Sequence, residues 1–223
     1  MESGGRRGTS RAVEDYLKAI FKLQESVRPV PTSALAGELG LAAASVTNMV
    51  KGLAERGLLD HEPYRGVELT PEGESAALRI IRRHRVIETY LIDRLGYTWD
   101  GVHAEAERLE HAASDDLVDR MARALGEPAQ DPHGAPIPAR DGTIARRALP
   151  RLADVEPGAR VVIREVADDD AERLRFLGEN GFLLGTIVTV KSAAPGEPLR
   201  VEVEGSPRRL SRELAAAVRV EPC

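Results

Sequence analysis

Residues 32–70 read TSALAGELGLAAASVTNMVKGLAERGLLDHEPYRGVELT. Thr32 is placed to cap a short helix that Gly40 closes, and a turn follows at once. From Ala42 to Arg56 a second helix carries Val46, Met49, Val50 and Leu53 on one face, while Ser45, Thr47, Asn48 and Lys51 fall on the other. Gly57 ends it. LLDHEPYRGVELT then reads as two short strands around a turn at Pro63-Tyr64-Arg65-Gly66. Either helix alone suits a small helical domain with a solvated face. Helix, tight turn, helix and hairpin in that order form the layout of a winged helix-turn-helix. On that layout Ser45, Thr47, Asn48 and Lys51 contact base edges of double-stranded DNA, and Arg65 at the wing tip reaches a backbone phosphate.

Outward from this stretch, Val13, Tyr16, Leu17, Ile20, Phe21 and Leu23 make the stripe of an amphipathic helix from Ser10 to about Glu25, ended by Pro29 and Pro31. Downstream, Thr70 caps and Pro71 opens a long helix reaching about Leu95. Val102, Ala106, Leu109, Ala113, Leu117 and Met121 predict another, from Trp99 or Val102 to Leu125. Two such helices have little else to pack on, which predicts burial in a homodimer. Glu127–Arg140, EPAQDPHGAPIPAR, has four prolines and reads as an extended connector. Short strands follow in VVIREV, GTIVTVK, LRVEVEG and AAVRVE, with a helix in DDDAERLRFLGENG, and together they suggest a small barrel. The expected fold is mainly α with a small β domain. Its divisions are a winged helix-turn-helix over 1–72, a helical metal-binding and dimerisation domain with its connector over 73–140, and an SH3-like β-barrel over 145–223.

The net charge of −5 argues at first against a nucleic-acid partner. Divided along the chain it is 0 over residues 1–70, −4 over 71–130 and −1 over 131–223, so the acid excess sits where a cation would bind. The first third stays neutral enough to approach phosphate. No apolar run approaches the roughly 18 to 20 residues of a membrane span, and MESGGRRGTSRAVED lacks the apolar stretch of a signal peptide. The single cysteine, Cys223, permits no internal disulfide. These features fit a protein of the cytoplasm with no membrane partner and no small-molecule substrate.

The chemistry concentrates in the acidic third. His84 and Glu88 lie four apart on the long helix, and His103, Glu107, Glu110 and His111 follow at offsets that share a face of the next. Imidazoles with carboxylates suit divalent first-row metals, and oxygen-rich sets favour harder ions such as Mn²⁺. Either pair alone equally describes an acidic solvated face; four successive face positions filled by His and Glu favour a ligand row. His61 and His133 fall in loops and read as structural or surface residues. A His-Glu-x-x-His pattern, a glycine-rich phosphate loop and a nucleophile elbow are absent, so no enzyme is predicted.

VEDYLKAIFKL, SVTNMV, PYRGVELTPEG, RRHRVIE, VHAEAERLEHAASDD and DPHGAPIP together resemble the diphtheria-toxin-repressor family of metalloregulators over nearly the whole chain. The resemblance implies a dimeric, metal-activated repressor binding a DNA operator. It also implies a C-terminal SH3-like domain of the kind seen in ferrous-transport accessory proteins. Iron-sensing members place a methionine and a cysteine at the primary site where this chain has Asp15 and Glu107, the pattern of manganese regulators. His84, Glu110 and His111 match ligands in both branches, Glu88 and His103 match the ancillary position, and Glu165 and Asp168 are candidate donors from the third domain. Lys18 stands where some manganese regulators are acidic. The implied corepressor is Mn²⁺, with Fe²⁺ the alternative and Zn²⁺, Co²⁺, Ni²⁺ or Cd²⁺ binding in vitro. The rivals are an iron-dependent repressor of the same family, a metal-dependent hydrolase, and a metal-independent interaction module.

Overall fold

The computed structural model describes residues 10–62, 64–145, 147–194 and 196–223. Pro63 of the expected wing turn and residues 1–9 of the N-terminal stretch lie outside them. The chain divides into two units, one of residues 1–83 with 138–143 and one of 84–137 with 144–223.

In the first unit, the stripe of Val13, Tyr16, Leu17 and Ile20 is buried along α1 (Arg11–Leu23). α2 (Thr32–Leu39) begins at the expected cap itself: Pro31 is the flanking residue and Thr32 is already helical. Proline is preset for that place by its fixed φ and missing N–H. Gly40, at φ +63°, ends α2 in the left-handed conformation and turns the chain into α3 (Ala43–Glu55). Val46, Val50 and Leu53 of α3 are buried, as are Leu35 of α2 and Leu17 and Ile20 of α1. β1 (Leu59–Glu62) and β2 (Gly66–Leu69) pair antiparallel, from Leu59 opposite Leu69 to Glu62 opposite Gly66. Val30 adds a short third rung by exchanging backbone hydrogen bonds with Val67. α4 (Pro71–Leu95) starts where Thr70 Oγ1 accepts from Gly73 N at 3.1 Å.

The second unit holds the rest of α4 with α5 (Val102–Leu109) and α6 (Asp115–Ala124). The single helix expected to run to Leu125 is therefore broken. Ser114 caps α6 by accepting from Leu117 N, and Asp115 and Asp116 fill its first turn, so a fresh helix start outcompetes continuation. Ile87, Leu91, Val102 and Ala106 make one apolar cluster, and Val86, Val118, Ala122 and Ile137 another. After a single 3-10 turn at Leu152–Asp154 come β3 (Arg160–Val166), α7 (Ala171–Glu179), β4 (Ile187–Ser192), β5 (Leu199–Val203), β6 (Ser206–Leu210), α8 (Arg212–Ala216) and β7 (Val218–Pro222). The strands form one antiparallel sheet ordered β6-β5-β4-β3-β7. Among the described residues β6 and β7 stay unpaired with each other, so the expected barrel is an open sheet. Alternating Leu199, Val201 and Val203 point inward with Leu174, Leu177 and Phe182.

The expected extended connector differs most. Asp131, His133, Ala135 and Ile137 are buried, and Gln130 bridges Pro136. The prolines here stiffen a folded loop in the protein interior.

Two glycines give opposite expectations. A Cβ on Gly73 would lie 2.0 Å from Leu58 O, whereas one on Gly52 of α3 meets nothing within 4 Å. Thermal unfolding should show Gly73→Ala destabilised by about 2 kcal/mol or more. Gly52→Ala should gain up to about 1 kcal/mol, the helix preference for alanine.

Candidate metal centre

α4 and α5 face their ligand-type side chains to one another inside the second unit. His84 and Glu88 sit one turn apart on α4 and are both buried, Glu88 completely. His103 and Glu107 stand on α5, and Glu110 and His111 lie in the turn after it. His84 Nδ1 is 2.5 Å from Glu110 Oε2. A carboxylate only accepts, so Nδ1 carries the proton and Nε2 is left facing the other way. There it meets Glu88 Oε1 at 3.0 Å and His103 Nδ1 at 3.1 Å, and those two atoms are themselves 3.1 Å apart. Asp168, from the loop after β3, brings Oδ2 to 3.8 Å from His103 Nδ1. His84, Glu88, His103 and Asp168 thus offer ligand atoms within 4.8 Å of one another.

This donor set fits a divalent ion. Two atoms bound at right angles to one cation at about 2.1 Å stand about 3.0 Å apart, which matches all three edges of the His84–Glu88–His103 triangle. Three electron-pair donors this close in a buried site repel unless positive charge lies among them. A cation placed among them would supply that charge. Burial of Glu88 pushes its carboxyl up, but hydrogen bonds from His103 and His84 and the nearby imidazoles outweigh that and hold it well below the usual range.

Glu107, Glu110 and His111 make a second group with ligand atoms within 4.8 Å of one another. His111 Nε2 is 3.4 Å from Glu110 Oε1, and Glu107 Oε1 is 3.6 Å from His103 Nε2. His84 therefore serves both groups, one nitrogen toward each. In the first unit Asp15 is half-exposed on α1 with Arg11 4.0 Å away. Glu165 turns to Arg219 at 3.7 Å, while Asp168 stands with the histidines.

On α3, Ser45, Asn48 and Lys51 are exposed and Thr47 is half-exposed, its hydroxyl donating to Ala43 O. Arg65 is exposed and pairs with Glu62 at 2.7 Å. Sequence reasoning missed the groups behind the ligand-type side chains. His133, read as a structural or surface residue of a loop, does lie in a loop but is fully buried, with Nδ1 3.9 Å from Glu88 Oε2. Asp131 receives His133 N and Ala135 N on Oδ1, with Oδ2 3.4 Å from Arg85 Nε. Burial pushes its carboxyl up to about 7 despite that guanidinium. DPHG was the available signal, hidden by the prolines around it.

Three family descriptions match in series: the iron dependent repressor N-terminal DNA binding domain over residues 8–67, the iron dependent repressor metal binding and dimerisation domain over 70–139, and the FeoA domain over 151–222. The iron-dependent repressor IdeR of Mycobacterium leprae is 31% identical over 220 residues, covering 93% of this chain and 96% of that protein. The diphtheria toxin repressor of Corynebacterium glutamicum is 32% identical over 220 residues, covering 93% and 95%. This chain belongs to the diphtheria toxin repressor family of metal-dependent transcriptional repressors.

Among solved structures, a manganese-dependent transcriptional repressor in complex with manganese superposes with a TM-score of 0.90 at 37% identity, covering 95% of this repressor and 100% of the other chain. ScaR with bound Zn²⁺ follows at 0.84 and 30% identity, over 95% and 99%. The family consists of DNA-binding repressors rather than enzymes, and the hydrolase alternative falls with that.

The repressor's lowered Glu88 carboxyl sets a pH expectation. A depressed group stabilises the fold above its unfolded value, near 4.5, and that contribution is lost as pH falls further. Chemical denaturation of the metal-free protein between pH 6 and pH 3 should show the wild type losing stability more steeply than Glu88→Gln, which has no such proton to take up.

Proposed function

We propose that the protein is a manganese-responsive repressor acting as a homodimer on operator DNA in the cytoplasm, and that it controls metal-homeostasis genes. The observation that carries the choice of metal is the pair Asp15 and Glu107, oxygen donors where iron-sensing relatives use methionine and cysteine. Hard oxygen ligands with few imidazoles suit Mn²⁺ among the divalent first-row ions. Asp15, Glu107, Glu110 and His111 are assigned to a primary site, with His84 behind it through Glu110. His84, Glu88, His103 and Asp168 are assigned to an ancillary one. The right-angle spacing of the latter group supports that assignment.

Asp15 belongs to the DNA-binding domain and the other primary ligands to the helical domain. A bound ion supplies the charge that lets three carboxylates and an imidazole share one point, and so favours the arrangement of the two domains in which they meet. Moving a two-state population from 1:99 to 99:1 needs about 5.5 kcal/mol of differential binding. In the favoured state two recognition helices, α3 of each protomer, stand about 34 Å apart and enter successive major grooves. Ser45, Thr47, Asn48 and Lys51 then read base edges, and Arg65 positions the wing on phosphate. The exposed Leu95, Leu109 and Leu117 on helices, with Tyr97 in the loop after α4, support a dimer, being apolar surface of the domain matched for dimerisation. Iron is the alternative corepressor, favoured by the iron-dependent relatives and opposed by Asp15 and Glu107.

Anaerobic calorimetry of the metal-free protein with Mn²⁺ and with Fe²⁺ tests the choice. Tighter Mn²⁺ binding is expected in the wild type, with the preference moving toward Fe²⁺ in Asp15→Met/Glu107→Cys. Equal affinities that the substitutions leave unchanged would remove the manganese assignment.

A further inference from the structure

Trp99, the chain's one tryptophan, belongs to the turn between α4 and α5, yet it packs against the apolar core of the C-terminal domain. Its indole is steadied from its own side, where Nε1 donates to Pro132 O at 3.1 Å. Against the ring lies α7. A Cβ built on Gly178 would meet Trp99 Cζ3 at 3.7 Å and Cε3 at 3.8 Å, so any side chain longer than a methyl would take the place of the ring. One turn earlier on the same helix face, Arg175 Nε donates to Asp100 Oδ2 at 3.0 Å. The arginine side chain is 58% exposed and the aspartate 23%, and an ion pair this open to water contributes little by itself. The ring therefore carries the contact and the pair aligns it.

A neighbouring stripe of α7 is held by its own domain, with Leu174 and Leu177 fully buried in that core. Asp170 caps the helix by accepting from Arg173 N at 3.0 Å, and Asp168 stands two residues before the cap. A shift of α7 therefore moves Asp168, whose Oδ2 lies 3.8 Å from His103 Nδ1. At the other end of the same short loop, β3 packs against the proline-rich segment so closely that a Cβ on Gly134 would stand 2.0 Å from Arg164 O. None of Trp99, Asp100, Arg175 and Gly178 belongs to either ligand group, so their contacts ask nothing of an ion.

We propose that Trp99, seated on Gly178 and aligned by the Asp100–Arg175 pair, is a latch that holds the C-terminal domain on the helical domain with or without metal, and so presents Asp168 beside His84, Glu88 and His103 before an ion arrives. The ion then enters a site whose two halves are already docked, instead of drawing the C-terminal domain in. Ordering a ligand in advance lowers what binding must spend on it. The presentation of Asp168 rests on the assignment of those four residues as a metal site; the latch does not.

The test reads Trp99 fluorescence in the full chain, with chelator and with Mn²⁺. A blue-shifted emission maximum and weak acrylamide quenching are expected in both conditions. Emission that moves to the red and quenches more readily in chelator would overturn the latch. Gly178→Gln extends a side chain into the place of the ring while favouring the helix over glycine. It should expose Trp99 with the far-ultraviolet helix signal intact. In an Asp15→Ala parent, which disables the proposed primary site, it should also weaken Co²⁺ binding about tenfold, as loss of the support behind a ligand does. Gly178→Ala, whose Cβ meets the ring at ordinary contact distance, should match the parent in both readouts. Trp99 still shielded in Gly178→Gln, or as exposed in Gly178→Ala as in Gly178→Gln, would reject the latch. Trp99 exposed with Co²⁺ affinity unchanged would reject the presentation of Asp168. If the Asp15→Ala parent shows no Co²⁺ binding that Glu88→Gln abolishes, the ancillary site itself fails and the presentation of Asp168 with it, while the latch stands or falls on the fluorescence.

Discussion

An imidazole held between two buried carboxylates organises the second unit. His84 gives one nitrogen to Glu110 and turns the other to Glu88, and all three side chains are shielded from water. Charges in such a place persist only when paired. The pairing ties the end of α5 to α4, since Glu110, the residue that follows α5, reaches His84. It also sets the direction of the free imidazole nitrogen, and with it the triangle that a cation fits. A site with this much buried acid is incomplete without positive charge, which is the physical reason a metal can act as a switch here.

The amphipathic stripes were legible in the residues because they depend on neighbours three or four positions away. Val13, Leu17 and Ile20, or Val46, Val50 and Leu53, announce their helices and their buried faces. Alternation in Leu199, Val201 and Val203 announces a strand equally well. Ending is harder to see than periodicity. The ligand row from His103 to His111 keeps helical spacing to its last member, yet Ser114 and the aspartates after it restart the helix and leave Glu110 and His111 in a turn. Sheet closure is non-local as well, and nothing in the strand sequences says that β6 and β7 remain apart.

The connector shows the same limit from the other side. Four prolines between Glu127 and Arg140 describe local stiffness correctly and location wrongly. Burial there depends on Arg85, Trp99 and β3, each more than 30 residues away or from another element. Asp131 takes two backbone amides and faces a guanidinium, and His133 reaches both Trp99 and Glu88. The ligand-type side chains of α4 and α5 were therefore legible from spacing, while the residues behind them required the fold. Selectivity sits at the same level: late metals bind such donors more tightly than manganese does, so geometry or supply must decide which ion is bound.

The most direct test of the account is whether metal changes DNA affinity through Asp15. A DNA site selected from random duplexes by the Mn²⁺-loaded protein serves as the ligand, and fluorescence anisotropy reads its affinity for wild type and Asp15→Ala, each with Mn²⁺ and with chelator. The account predicts that Mn²⁺ tightens DNA binding of the wild type by roughly 5–150-fold, the usual range of coupling between two sites, and that Asp15→Ala loses most of this gain. Wild-type affinity indifferent to Mn²⁺, or an Asp15→Ala variant that responds as fully as the wild type, would contradict it.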